Sequence, residues 1–144
     1  MDNKLKILDL PLKKQYYNLI ESEIKKEEYR EIKPYWMKRL FDTINIDFTH
    51  YEKIDNECAD FYCNKDNIKY LKKDYNGGGI KKKPYTYVRF RYGYTKRTML
   101  FELIGISIGK GKIEWGAPED KEVFILKLGR KVNSIIDMTQ YLKK

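Results

Sequence analysis

Tyr85-Thr86-Tyr87-Val88-Arg89-Phe90-Arg91-Tyr92 is the stretch on which the reading of the fold turns. Alternation puts Tyr85, Tyr87, Arg89 and Arg91 on one face and Val88, Phe90 and Tyr92 on the other, the period of a strand with one side on a core. The second side is aromatic and cationic. Downstream, residues 99–108 predict a second strand, and Gly109-Lys110-Gly111 predicts a hairpin-type turn leading to Ile113 and Trp115. A third strand follows over residues 123–128, closed by Gly129. Ile135, Ile136, Met138 and Tyr141 predict a short terminal helix over residues 133–142.

Upstream, residues 42–83 are dominated by Asn, Asp and Lys and carry Asn76-Gly77-Gly78-Gly79 and Lys81-Lys82-Lys83. They read as an elaborated, inserted loop, in which Cys58, Phe61, Tyr62, Ile68 and Leu71 allow a short helix or strand. Pro34 suits the first turn of a helix over residues 35–41. Over residues 25–32 extended spacing puts Lys26, Glu28, Arg30 and Ile32 on one face and Lys25, Glu27, Tyr29 and Glu31 on the other. Leu12, Tyr16, Leu19 and Ile20 recur at helical spacing. Leu5, Ile7 and Leu10 mark an opening strand, and Pro11 ends it or starts the next element. The plan is α+β, and antiparallel strands that must hide their edges point to a small closed β-barrel with flanking helices.

The 144 residues fit a single domain over residues 1–144. Thirty Lys plus Arg against twenty-one Asp plus Glu leave a formal charge of +9. Polyanions are natural partners for such a surface, although the excess also serves solubility, and charge alone does not choose. No apolar run is long enough to cross a bilayer, and Met1-Asp2-Asn3-Lys4 lacks the apolar segment of a signal peptide, so the expectation is a cytoplasmic protein without membrane association. Cys58 and Cys63, with His50 the one histidine, fall short of the four ligands zinc normally takes. Free thiols are expected, with no metal and no cofactor.

Lys25-Lys26-Glu27-Glu28-Tyr29-Arg30 resembles the G-x-K-x-x-E-x-R signature of ASCH domains, with Lys25, Glu28 and Arg30 in the Lys, Glu and Arg places and Glu23 in the glycine place. Glu31-Ile32-Lys33-Pro34-Tyr35-Trp36, Val88-Arg89-Phe90-Arg91-Tyr92-Gly93-Tyr94, Glu114-Trp115-Gly116-Ala117-Pro118 and Phe124-Ile125-Leu126-Lys127-Leu128-Gly129 follow in the order of a short ASCH subgroup common in bacteria and phages. The resemblance spans residues 5–41 and 85–132. It implies a PUA-like barrel with a cleft beside the signature strand, RNA binding, and in a few small members hydrolysis of acetylated cytidine or of RNA. Where the amidohydrolase pattern has a threonine, this chain has Glu28.

The residues themselves supply an RNA argument. Tyr85, Tyr87, Arg89 and Arg91 offer planar groups for unpaired bases and charge for phosphates, with Tyr92, Tyr94, Lys96 and Arg97 in the turn beyond. The plain alternative is cross-strand tyrosine pairing. Lys25, Glu28 and Arg30 line the expected cleft, or else form an ion pair that closes the barrel. Trp36, in an amphipathic helix, reads as core rather than a stacking platform, while Trp115, after a polar hairpin, fits a stacking platform or core packing equally. If the protein is an enzyme, Lys25, Glu28 and Glu102 are the candidate catalytic groups, with Glu102 a partner for Arg30 or Lys25. Three functions stay open: RNA binding to single strands or structured RNA with unpaired bases, hydrolysis of a modified nucleoside or RNA, and capture of a protein partner through residues 42–83.

Overall fold

The computed structural model describes residues 6–132. These hold eight strands and four α-helices, an α+β architecture. In chain order they are β1 (Ile7–Leu12), α1 (Lys14–Glu21), β2 (Glu27–Glu31), α2 (Pro34–Leu40), β3 (Phe41–Ile46), β4 (His50–Lys53), α3 (Asn56–Cys63), α4 (Ile68–Asn76), β5 (Ile80–Lys82), β6 (Tyr87–Tyr92), β7 (Thr98–Gly109) and β8 (Val123–Val132). None of the described helices is long and apolar enough to cross a membrane.

The principal sheet has the order β1-β6-β7-β8-β2 and curls into a half-barrel. β1 runs parallel to β6, and the remaining neighbours are antiparallel. Full closure was expected; instead β1 and β2 are the two edges of the sheet. The core there is covered by helices, through Tyr17 and Ile20 of α1 and Met37 and Leu40 of α2, all fully buried. An edge covered by helices needs no strand partner.

Leu8, Leu10, Val88, Phe90, Phe101, Phe124 and Leu126 bring the inner faces of four strands into one cluster. β8 is buried at consecutive positions because its other face is also covered. There Val123 and Ile125 pack with Tyr29, Ala117 and Trp115 in a second cluster, under the connection that joins β7 to β8. That connection, residues 110–122, replaces the expected hairpin turn and includes a 3-10 turn over Ile113–Trp115. β8 continues past Gly129 to Val132, and β1 runs through Pro11, which is tolerated at a sheet edge. The expected terminal helix lies outside the described residues.

Residues 42–83 differ most from expectation. Their strands make a three-stranded sheet, β4-β3-β5, and α3 and α4 pack beside it. Ile54, Ala59, Tyr62, Leu71 and Ile80 join the same core cluster as Leu8 and Phe90. The loop reading fails because one or two apolar anchors per short element suffice when the rest of the core supplies the other face. The β3–β4 hairpin turns on Asp47 and Phe48, both with positive φ, and Phe48 is 98% exposed.

The end of α1 sets up the site. Glu23 N donates to Ile20 O at 2.9 Å and Ile24 N to Leu19 O at 3.1 Å, the pattern that ends a helix with a left-handed residue. Glu23 is that residue, at φ 63°. The turn is therefore left-handed without a glycine, held by a glutamate at a cost of about 1–2 kcal/mol. The turn reverses the chain so that Lys25 enters the interior just ahead of β2.

Candidate functional site

Lys25, Glu28 and Arg30 meet at the open seam of the half-barrel. Glu28 and Arg30 are paired with Leu126 and Phe124 of β8 and so share the core side of β2. Lys25 precedes the strand and escapes its alternation, which is why it joins Glu28 rather than the opposite face. Its Nζ lies 2.7 Å from Glu28 Oε1, and the side chains are 1% and 7% exposed. Glu28 Oε2 accepts from Arg30 Nη1. Glu28 thus sits between two cations.

Both cations have further partners. Lys25 Nζ also donates to Trp115 O, the last carbonyl of the 3-10 turn, and faces the Tyr16 ring at 4.4 Å. Arg30 Nη1 donates to Tyr29 O at 2.7 Å, while Nη2 donates to Pro11 O at 3.2 Å. Because Pro11 belongs to β1, the Arg30 guanidinium bridges the two sheet edges that no ladder joins. The same guanidinium lies 5.0 Å from the centre of the Trp36 ring.

Above this floor is a cleft of about 370 Å³, walled by Tyr16 of α1, Trp36 of α2, and Trp115 and Gly116 of the β7–β8 connection. Tyr29 pins that connection: its hydroxyl donates to Glu27 Oε1 at 2.9 Å and accepts from Lys112 N at 3.0 Å. Burial, with Glu27 helping, raises the Tyr29 phenol well above its ordinary range. Gly116 has φ 101°, and a Cβ there would come within 2.7 Å of Tyr16 Cζ. Only glycine lets the two walls approach this closely.

Comparison with protein-family models, with curated proteins and with solved structures finds no match. What the site can do therefore rests on its own chemistry. A buried ion triad is an inefficient way to stabilise a fold, since desolvating the charges cancels much of their attraction. Aromatic walls over such a floor offer stacking surfaces and a carboxylate flanked by donors, a set suited to a planar polar ligand.

The other sequence candidates scatter. Tyr87 is buried within the sheet, and Tyr85 lies ahead of β6, donating from its hydroxyl to Arg39 O at 2.9 Å. Neither is an open stacking platform, because alternation tells which residues share a face but not what covers it. Arg89 grips Asp9 through two bonds of 2.6 and 3.2 Å, and its hydrogen bond holds the Asp9 carboxyl below the ordinary range. Arg91 Nη1 donates to Thr95 O at 3.2 Å, while Tyr94 and Lys96 are exposed in the turn after β6. Arg97 is tied to Glu21 at 2.7 Å.

Glu102 does not pair with Arg30 or Lys25. Its Oε1 accepts from Arg130 N at 2.8 Å, in a separate depression reached by Lys25 and Lys26 but lacking Glu28. Trp36 was read as core; it is half-buried and walls the cleft. A proline-capped short helix following the signature strand was the signal available for it. Tyr16 was missed because it read as one rung of an apolar stripe. Cys58 and Cys63 are both free thiols on α3, and burial pushes the Cys63 thiol up to about 12.

Proposed function

We propose that this chain binds RNA by holding one unpaired base in the cleft between Tyr16, Trp36 and Trp115, over the floor of Lys25, Glu28 and Arg30. The observation that carries this reading is the conjunction of three aromatic walls with a buried carboxylate between two cations, in a space of about 370 Å³. That volume is near the lower end of small-ligand sites, about 300–1,000 Å³, and suits one base rather than a duplex. Stacking supplies affinity, and the polar floor meets the hydrogen-bonding edge of the base.

The same observations support an ASCH-type, PUA-like assignment. Lys25, Glu28 and Arg30, the three residues of the signature, converge on one point, and the glycine place adopts positive φ at Glu23. In this reading the half-barrel is the family's barrel with Arg30 spanning its last seam.

The test is titration of the protein's tryptophan fluorescence with short single-stranded RNA at low salt. Trp36→Ala is expected to weaken binding by about 5- to 150-fold, the equivalent of the roughly 1–3 kcal/mol of one stacked base. Absence of binding at low salt overturns the proposal. Hydrolysis is the second reading, favoured by the 2.7 Å contact of Lys25 with Glu28, a pair placed for proton transfer. Turnover of acetylated cytidine or labelled RNA that disappears in Glu28→Gln would replace binding by catalysis.

A further inference from the structure

A second feature adjoins the cleft. Arg39 stands beside the cleft wall, 5.9 Å from the Trp36 ring; its Nη1 donates to the hydroxyl of exposed Tyr35 at 3.1 Å, and its Nη2 to Asp9 O at 2.8 Å. Past Arg39, Lys83 is fastened to the end of α2 by its backbone N, which donates to Leu40 O at 2.9 Å. β3 pairs Phe41 with Lys82 on one side and Thr43 with Lys53 on the other, Ile54 N donates to Asp42 O at 3.1 Å and Thr86 N to Lys6 O at 2.9 Å, so Lys53, Lys6 and Asp42 are gathered near Lys83. Burial lowers the Lys83 ammonium below its ordinary value; Asp42 opposes this, while the charges of Lys53, Lys6 and Arg39 add to it. On the other side of Arg39, Asp9 feels Arg89, Arg91 and Arg39 together. Two carboxylates, Asp9 and Asp42, thus serve a ridge of six cations.

Crowded cations repel one another, and that cost is relieved when a polyanion lies across them. A competing route exists: a larger groove of about 1420 Å³ between α4 and the β7–β8 connection carries Lys65, Lys69 and Lys121. Its charge is interleaved with Asp66, Asp120 and Glu122, and the Lys72 to Glu122 bridge of 2.5 Å runs within it. The groove's lining, with Arg30, Lys72 and Lys110 added, holds six cations to four carboxylates, so the larger excess of positive charge is on the ridge.

We propose that the sugar-phosphate backbone leaves the cleft past Arg39 and crosses Lys83, Lys53 and Lys6, so that the ligand is a strand of several nucleotides rather than a lone nucleoside. This rests on the RNA reading of the cleft. It also gives residues 42–83 a task, since Lys53 on β4 and Lys83 just after β5 are brought to the ridge by the second sheet.

The salt dependence of binding separates the two ideas. For a single strand the slope of log affinity against log salt is about −0.7 per phosphate neutralised. Lys53→Gln and Lys83→Gln are each expected to make that slope shallower by about 0.7, and the pair by about 1.4. Lys53 is exposed, so its single variant reports even where Lys83→Gln lowers the melting temperature. Trp36→Ala is expected to lower affinity with the slope intact. A hexanucleotide should bind more tightly than a mononucleotide to the wild-type protein, and lose that advantage in the double variant. RNA bound with an unchanged slope in the double variant overturns the ridge while leaving the cleft reading standing. So does a shallower slope in Lys65→Gln/Lys121→Gln, which would put the backbone in the groove. Absence of binding by RNA of any length removes both.

Discussion

Replacing Glu28 by glutamine tests the architecture of the site most directly. Glu28 is the shared counter-ion of Lys25 and Arg30, whose side chains are 1% and 14% exposed. Glu28→Gln keeps the shape but leaves two cations side by side in the interior, with no carboxylate between them and the Lys25 ammonium facing Trp115 O and the Tyr16 and Tyr29 rings. Removing one partner of a buried pair costs about 3–5 kcal/mol, against a total stability of about 5–15 kcal/mol. At roughly 3–4 °C per kcal/mol for a chain of this length, the melting temperature should fall by about 10–20 °C. Lys25→Met is expected to cost less, because Glu28 keeps Arg30 as its partner and the site becomes neutral. In Lys25→Met/Glu28→Gln the loss should be smaller than in Glu28→Gln alone, since one buried cation then remains instead of two. Urea unfolding followed by circular dichroism at neutral pH gives all three values. Equal costs for the two single variants, or a Glu28→Gln cost below about 1 kcal/mol, would refute the shared counter-ion.

Gly116→Ala is expected to destabilise by a few kcal/mol, because it combines φ 101° with a 2.7 Å approach to Tyr16; it should also weaken RNA binding in the same fluorescence titration, by pushing one cleft wall outward. Glu23→Gly and Phe48→Gly each release a non-glycine residue from positive φ, at 63° and 60°, and thermal melts should show each gaining up to about 1 kcal/mol; a loss at Glu23 would mean that its side chain does something beyond holding the turn. Arg89 holds the Asp9 carboxyl below its ordinary value of 3.8, so the pair's stabilisation is complete above that pH and disappears as pH falls through the lowered value. Both groups are about half exposed, so Asp9→Asn should cost only about 0.2–1 kcal/mol at pH 6, with the difference from wild type shrinking as the pH is taken down past the ordinary carboxylate range. A difference that persists in acid would show that the ion pair is not its source.

Of the principal sheet, β6 was readable because it carries a period of two with large apolar residues on one side, and β8 because it is a continuous apolar run bounded by polar residues. Val88, Phe90 and the run from Val123 to Leu128 needed no tertiary information to be placed in a core. The segment over residues 42–83 was not readable: Ala59, Tyr62 and Leu71 are isolated apolar positions in polar surroundings, and only a core built by distant strands makes them anchors. Tyr85 and Tyr87 were misjudged for the converse reason, since a strand's second face is open or covered according to what packs on it.

The signature residues show the division most sharply. Composition determined the cationic character of the surface, and strand alternation put Glu28 and Arg30 on one face but Lys25 on the other; the left-handed turn at Glu23 frees Lys25 from that alternation and lets it join them. Whether those charges faced water or the interior was decided only by the tertiary structure: α1, α2 and the β7–β8 connection bring Tyr16, Trp36 and Trp115 over them from three separate parts of the chain. A cleft is a relation between elements far apart in sequence, and the free energy that assembles it comes from core burial, which local periodicity does not report.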